Sequence, residues 1–235
     1  MTQFTDFGLA QPVLRALEEA GYKTPTPIQA QALRPAMEGR DLCGIAQTGT
    51  GKTAAFALPI LHRLAQNPRK AIRRGCRVLV LSPTRELANQ IAESFSDYGR
   101  HLSFTNTVVF GGVTISRQEK ALAGGVDILV ATPGRLMDLI ERRSLTLEAV
   151  EILILDEADQ MLDLGFIHAL KRIVKMLPKE RQSLFFSATM PKNIAGLADQ
   201  YLRDPVQVAV TPVATTAERV TQEVIFAHTL SLIHI

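Results

Sequence analysis

The chain has 235 residues, 46% hydrophobic and 21% charged, which is enough apolar content for one substantial core and too much for a disordered chain. Its 26 basic and 23 acidic residues leave a net charge of only +3, so composition neither demands nor excludes a nucleic-acid partner. No apolar run reaches the roughly 18 residues of a membrane span, the N-terminus lacks a basic-then-apolar signal, and two cysteines, Cys43 and Cys76, suit a reducing compartment, so a cytoplasmic location away from membranes is expected.

Residues 1–40 read as a helical prelude to the domain that follows. Val13, Leu14, Leu17 and Ala20 fall at helical spacing, Gly21 stops the helix, and Thr24-Pro25-Thr26-Pro27 is rigid. Pro27 suits a first helical turn, where its missing N–H has no intrahelical partner, and it leads into Ile28, Gln29 and Leu33. Short apolar runs then recur at 42–46, 78–81, 107–110, 128–131, 152–155, 184–186 and 206–210, with helical patterns between them. Their apolar positions are consecutive rather than alternate. Strands of that kind are covered on both faces, so the expected class is α/β, a mostly parallel sheet flanked by helices, with the chemistry in the loops after the strands.

The first such loop is Gln47-Thr48-Gly49-Thr50-Gly51-Lys52-Thr53, between a strand and a helix. It reads as a P-loop. Gly49 and Gly51 let successive N–H groups face one anion at a helix N-terminus, Lys52 supplies a point charge for outer phosphates, and Thr53 is suited to Mg²⁺. The strict pattern would place glycine at Ala46, so this is a variant. Later, 152–155 delivers Asp156-Glu157-Ala158-Asp159 to its C-terminal end. Beside a P-loop, Asp156 suits Mg²⁺ and its waters, and Glu157 suits the attacking water. Arg69, Lys70, Arg73, Arg74 and Arg77 lack interleaved aromatics and read as a solvated loop. His62, His101, His168, His228 and His234 never adopt the spacing of a helical zinc site.

Asp156-Glu157-Ala158-Asp159 spells the signature of the DEAD-box RNA helicases, and over about 4–210 the chain resembles the first, RecA-like domain of that family. Its short N-terminus resembles the bacterial RhlE-like subgroup. Gly21-Tyr22-Lys23-Thr24-Pro25-Thr26-Pro27-Ile28-Gln29 resembles the Q motif. The resemblance implies a nucleotide site that includes Phe4, Tyr22, Lys23, Pro27 and Gln29, with Gln29 reading adenine and Phe4 stacking on the ring. An anchoring role for Phe4 in the core is the competing reading. Pro83-Thr84-Arg85, Gly111-Gly112 and Thr132-Pro133-Gly134-Arg135 resemble RNA-facing motifs. Thr132 is suited to cap a helix that opens with Pro133, and Arg85 and Arg135 would add charge for a phosphate backbone without base specificity. Ser187-Ala188-Thr189 resembles the motif that couples hydrolysis to RNA separation, through hydroxyl bonds to Asp159.

The implied cofactors are ATP and Mg²⁺, the implied partner is RNA, and a monomer is expected. Two other readings stay open: a P-loop ATPase acting on DNA or protein, and a nucleotide-dependent RNA clamp. Residues 41–210 are expected to be the ATP-binding domain. At 211–229 a linker is expected, with Val224-Ile225-Phe226 opening a second unit. The closing 230–235 resembles a translated transposon end and is expected to be non-native, the chain being a truncated gene fragment. In the family a second RecA-like domain supplies arginine fingers and half of the RNA groove, so this chain is expected to bind ATP weakly and to unwind nothing alone.

Overall fold

The computed structural model describes residues 2–210, so the expected linker, its strand and the closing tail lie outside the described residues. Strands β1 (Leu42–Ile45), β2 (Cys76–Leu81), β3 (Asn106–Val109), β4 (Val126–Ala131), β5 (Ile152–Leu155), β6 (Gln182–Ser187) and β7 (Val206–Ala209) form one sheet in the order β3-β4-β2-β5-β6-β1-β7. Every neighbouring pair is parallel. A 3₁₀ turn (Phe4–Phe7) and helices α1 (Gln11–Glu19), α2 (Pro27–Met37), α3 (Lys52–Gln66), α4 (Arg85–Tyr98), α5 (Ile115–Leu122), α6 (Pro133–Glu141), α7 (Ala158–Asp163), α8 (Ile167–Met176) and α9 (Lys192–Tyr201) are the other elements of the described residues.

Consecutive apolar residues do serve opposite faces. Val78, Val80, Ile152, Ile154, Leu184 and Phe186 pack with α1 to α4, while Leu79, Leu81, Leu153, Leu155 and Phe185 pack with α6 to α9. Each fully buried side chain of this size contributes about 1.5–3 kcal/mol of hydrophobic stabilisation. On the first face Phe56 of α3 meets Phe186 at 5.5 Å between ring centroids, and the prelude shares that layer through Val13, Leu17, Ile28 and Leu33. Ala20 is exposed instead, and Ala16 takes the buried place on α1. His62 ties prelude to core by accepting the Ala10 N–H at Nδ1, 3.0 Å away. That bond requires an unprotonated Nδ1, and burial lowers the pKa of the ring accordingly.

Polar residues extend β6 beyond the apolar run that announces it. Gln182 donates to the carbonyls of Ala36 and Arg40, and the Ser183 N–H donates to the Asp41 carboxylate, so both are buried at little cost. The basic cluster is likewise not all solvated loop. Arg77 lies in β2, 4% exposed, with Nε 2.7 Å from Glu151 and Nη2 donating to the carbonyl of Asn67. Lys70, Arg73 and Arg74 are exposed as expected.

The strand order divides the C-terminal edge of the sheet. Loops after β5, β6 and β1 are neighbours, and so are the loops after β3, β4 and β2. The candidate phosphate and acidic loops fall in the first set, and the three stretches expected to face RNA fall in the second.

Candidate functional site

From β1 the chain turns through Gly49 (φ +83°) and Gly51 (φ +94°) before Lys52 opens α3. These left-handed turns favour glycine. Gly51 is needed for space as well, since a Cβ there would meet the Gln29 carboxamide at 2.4 Å. Thr50 Oγ1 donates to the Gln47 carbonyl at 2.7 Å and closes the loop. Lys52 is 6% exposed, its ammonium has no hydrogen-bond acceptor, and its nearest carboxylate is Asp156 at 4.0 Å. A buried ammonium held this way is costly unless an anion completes it. Thr53, in the first turn of α3, is half-buried.

Asp156 ends β5, where its N–H donates to the Leu81 carbonyl. Burial pushes its carboxyl up to about 6; Lys52 opposes the shift, and Glu157 adds to it. Glu157 caps α7 with φ +52°, an uncommon conformation outside glycine, and its carboxylate accepts from Thr48 Oγ1 at 3.1 Å. The P-loop and the acidic loop are thus bonded directly. Asp159 accepts from both the N–H and the hydroxyl of Thr189, at 3.0 and 2.9 Å. Burial would raise its pKa, but these bonds outweigh that and hold it below the ordinary carboxylate range. Ser187, also expected to bond Asp159, adds to that field, but its buried hydroxyl makes no hydrogen bond.

Gln29 is buried at the start of α2, next to Pro27 at the first helical position. Its Oε1 accepts the Thr26 N–H at 2.9 Å and its Nε2 donates to the Gly51 carbonyl at 3.1 Å. Each end of the amide keeps one further bonding capacity. Tyr22 is exposed and edge-on to Tyr98, and the Lys23 carbonyl accepts the Phe4 N–H at 3.4 Å. Phe4, Tyr22 and Lys23 line a cavity of about 540 Å³ that no P-loop residue lines. Phe4 itself is 4% exposed and part of the core, as its anchoring reading expects.

On the other half of the edge, Thr84 caps α4 by accepting the Leu87 N–H, beside buried Pro83, and the exposed Arg85 guanidinium lies 5.8 Å over the Phe110 ring. Gly112 (φ +77°) is tightly matched to Arg85, since a Cβ there would fall against the guanidinium, whereas Gly111 faces open space. Thr132 holds the N-cap position of α6 without a side-chain cap bond, a departure from expectation, and Gly134 is exposed behind buried Pro133. Arg135 departs too. Its side chain is 10% exposed and donates to the Val113 carbonyl and to Gln118 Oε1, so it braces protein rather than facing solvent.

A profile of the DEAD/DEAH box helicase family matches residues 26–197. This chain belongs to the DEAD/DEAH box helicase family. Relatives are RNA helicase CrhR of Synechocystis sp., 43% identical over 94% of this chain, and ATP-dependent RNA helicase DeaD of Escherichia coli, 42% identical over 94%. A solved DEAD box protein from the hyperthermophile Methanococcus jannaschii superposes with a TM-score of 0.82 at 34% identity, covering 90% of this chain and 56% of that one. The chain spans 44% of the CrhR sequence and 34% of the DeaD sequence. The DEAD/DEAH match begins at Thr26, so Phe4, Tyr22 and Lys23 precede it. Phe110, Gln118 and Val113 also belong to the candidate edge, outside the motifs that mark it in the sequence. Gln118 gives only a weak sequence signal, a polar residue one helical turn before Leu122 on the buried stripe of α5.

Proposed function

We propose that this chain is the ATP- and RNA-binding domain of an ATP-dependent RNA helicase, in which hydrolysis drives local duplex separation or ribonucleoprotein remodelling. The observation that carries the reading is the pairing of Lys52 with Asp156: two buried opposite charges 4.0 Å apart, the ammonium without an acceptor and the carboxyl pushed up to about 6. Mg²⁺·ATP would give the ammonium the acceptor it lacks and would set a cation beside the carboxyl, which accepts the Glu157 N–H at 3.0 Å. Thr53 and Asp156 fit the metal, which when bound neutralises phosphate charge. The loop N–H groups at 47–51 and Lys52 hold the phosphates, Gln29 bonds the adenine edge with its remaining donor and acceptor, and Glu157 orients the attacking water.

Thr189 links the acidic loop to the end of β6, so a change at the magnesium site reaches the sheet edge through the Asp159 bonds. RNA lies across the loops after β2, β3 and β4, held by Arg85 and main-chain N–H groups, without a base code. The test is hydrolysis and strand displacement with and without single-stranded RNA, run on the 235-residue chain and on a longer relative. The reading expects RNA-stimulated hydrolysis in the longer protein, and in this chain Mg²⁺·ATP binding with at most trace turnover. Displacement of a short duplex by this chain alone, or stimulation of the longer protein by DNA and not by RNA, would contradict it.

A further inference from the structure

Gln118 and Leu122 are the buried residues of α5. A buried carboxamide must be satisfied at both ends, and this one is. Its Nε2 donates to the Phe110 carbonyl at 3.0 Å and its Oε1 accepts from Arg135 Nη1 at 2.9 Å. The same Nη1 donates to the Val113 carbonyl at 3.1 Å. Reversing the amide would set NH₂ against a guanidinium and oxygen against a carbonyl, so its orientation is determined. Phe110 in turn carries the Arg85 guanidinium, which fills the space over Gly112. One chain of contacts therefore runs from Arg85 through Phe110, Gln118 and Arg135 to Val113, touching all three stretches of the edge.

We propose that Gln118 is the positioning residue of the RNA-facing edge, an inference that rests on the RNA reading above. It holds both flanks of the Gly111-Gly112 turn, one directly and one through Arg135, and so sets where the turn stands relative to Arg85 and the start of α6. The task calls for a neutral amide. A glutamate offers only acceptors and a lysine only donors, and an aliphatic side chain offers neither.

Two substitutions separate the bonds. Gln118→Glu keeps an acceptor for Arg135 and loses the donor to Phe110, whereas Gln118→Leu loses both. Backbone ¹⁵N relaxation of Gly111 and Gly112 in the 235-residue chain reads the turn directly, and titrations with a labelled single-stranded RNA and with Mg²⁺·ATP read the two halves of the edge. The turn should loosen in both variants, from an order parameter of about 0.85 toward 0.6. RNA affinity should drop about fivefold in Gln118→Glu and about tenfold or more in Gln118→Leu, while ATP affinity stays within about twofold of wild type. Unchanged relaxation in Gln118→Glu, which carries the test if the leucine variant does not fold, overturns the clamp. A loosened turn with unchanged RNA affinity overturns positioning of RNA. A wild-type chain that binds no RNA overturns the RNA reading and leaves the clamp to be decided by relaxation alone.

Discussion

The Gln29 side chain reaches across 22 positions to the carbonyl of Gly51, 3.1 Å away, so the residue proposed to read the base is bonded to the loop proposed to hold the phosphates. Gln29→Ala should therefore narrow the preference for ATP over GTP and also weaken ATP itself, about five- to tenfold for one or two lost hydrogen bonds. Calorimetric titration of both nucleotides checks this. Equal wild-type affinity for ATP and GTP would remove Gln29 from base recognition.

Phe4 distinguishes anchoring from stacking. Because its ring lies in the core, Phe4→Ala should destabilise folding by about 3–5 kcal/mol, visible in urea melts. Phe4→Leu, which keeps most of the apolar volume, should restore most of that stability and leave ATP affinity near wild type. A leucine variant that is fully stable yet binds ATP about tenfold more weakly would point back to stacking.

Asp156 gives a pH dependence with a defined sign. Its folded pKa, about 6, stands above its ordinary 3.8, so the native state holds the proton more tightly than the unfolded chain between those values. Its contribution to stability is fully present below 3.8 and is lost as pH rises through 6. Measured against Asp156→Asn without nucleotide, wild-type stability should fall by about 1.4 kcal/mol between roughly pH 5 and pH 7.5. The Mg²⁺-dependent part of nucleotide affinity should run the other way and weaken below about pH 6, since the metal takes the carboxylate form. A pH-independent difference between the two proteins would contradict the buried carboxyl.

The two neighbouring glycines should behave differently. Gly112 has φ +77° and no room for a Cβ beside Arg85, whereas Gly111 has open space. Gly112→Ala should cost about 1 kcal/mol or more of stability and displace Arg85, lowering RNA affinity, while Gly111→Ala should leave both near wild type. Similar RNA affinities for the two variants would remove the Gly112–Arg85 fit from the interface.

Much of this arrangement is legible in the sequence because strand and loop signals are local. Consecutive apolar residues mark the buried parallel strands, and Gly49, Gly51 and Lys52 mark a left-handed glycine turn that opens a helix. What local pattern cannot show is how a polar side chain is used once distant loops meet. Arg135 looks like a free cation after a helix start, but its partners, Val113 and Gln118, come from another loop and helix. Ser187 and Thr189 look equivalent, yet the Thr189 hydroxyl hydrogen-bonds Asp159 at 2.9 Å while the buried Ser187 hydroxyl makes no hydrogen bond. Arg77 sits in a basic run and is buried because Glu151, remote in sequence, pairs with it.

The most direct measurement is calorimetric titration of Mg²⁺·ATP into the wild-type chain and into Lys52→Ala, with a urea melt of each. Lys52 is buried without a hydrogen-bond acceptor but is also the countercharge of buried Asp156, 4.0 Å away, so its removal should weaken folding, and far less than it weakens ATP binding. ATP affinity should fall by about 1.5–3 kcal/mol, more than tenfold. A folded Lys52→Ala variant that binds Mg²⁺·ATP as tightly as wild type would contradict the assignment of the nucleotide site.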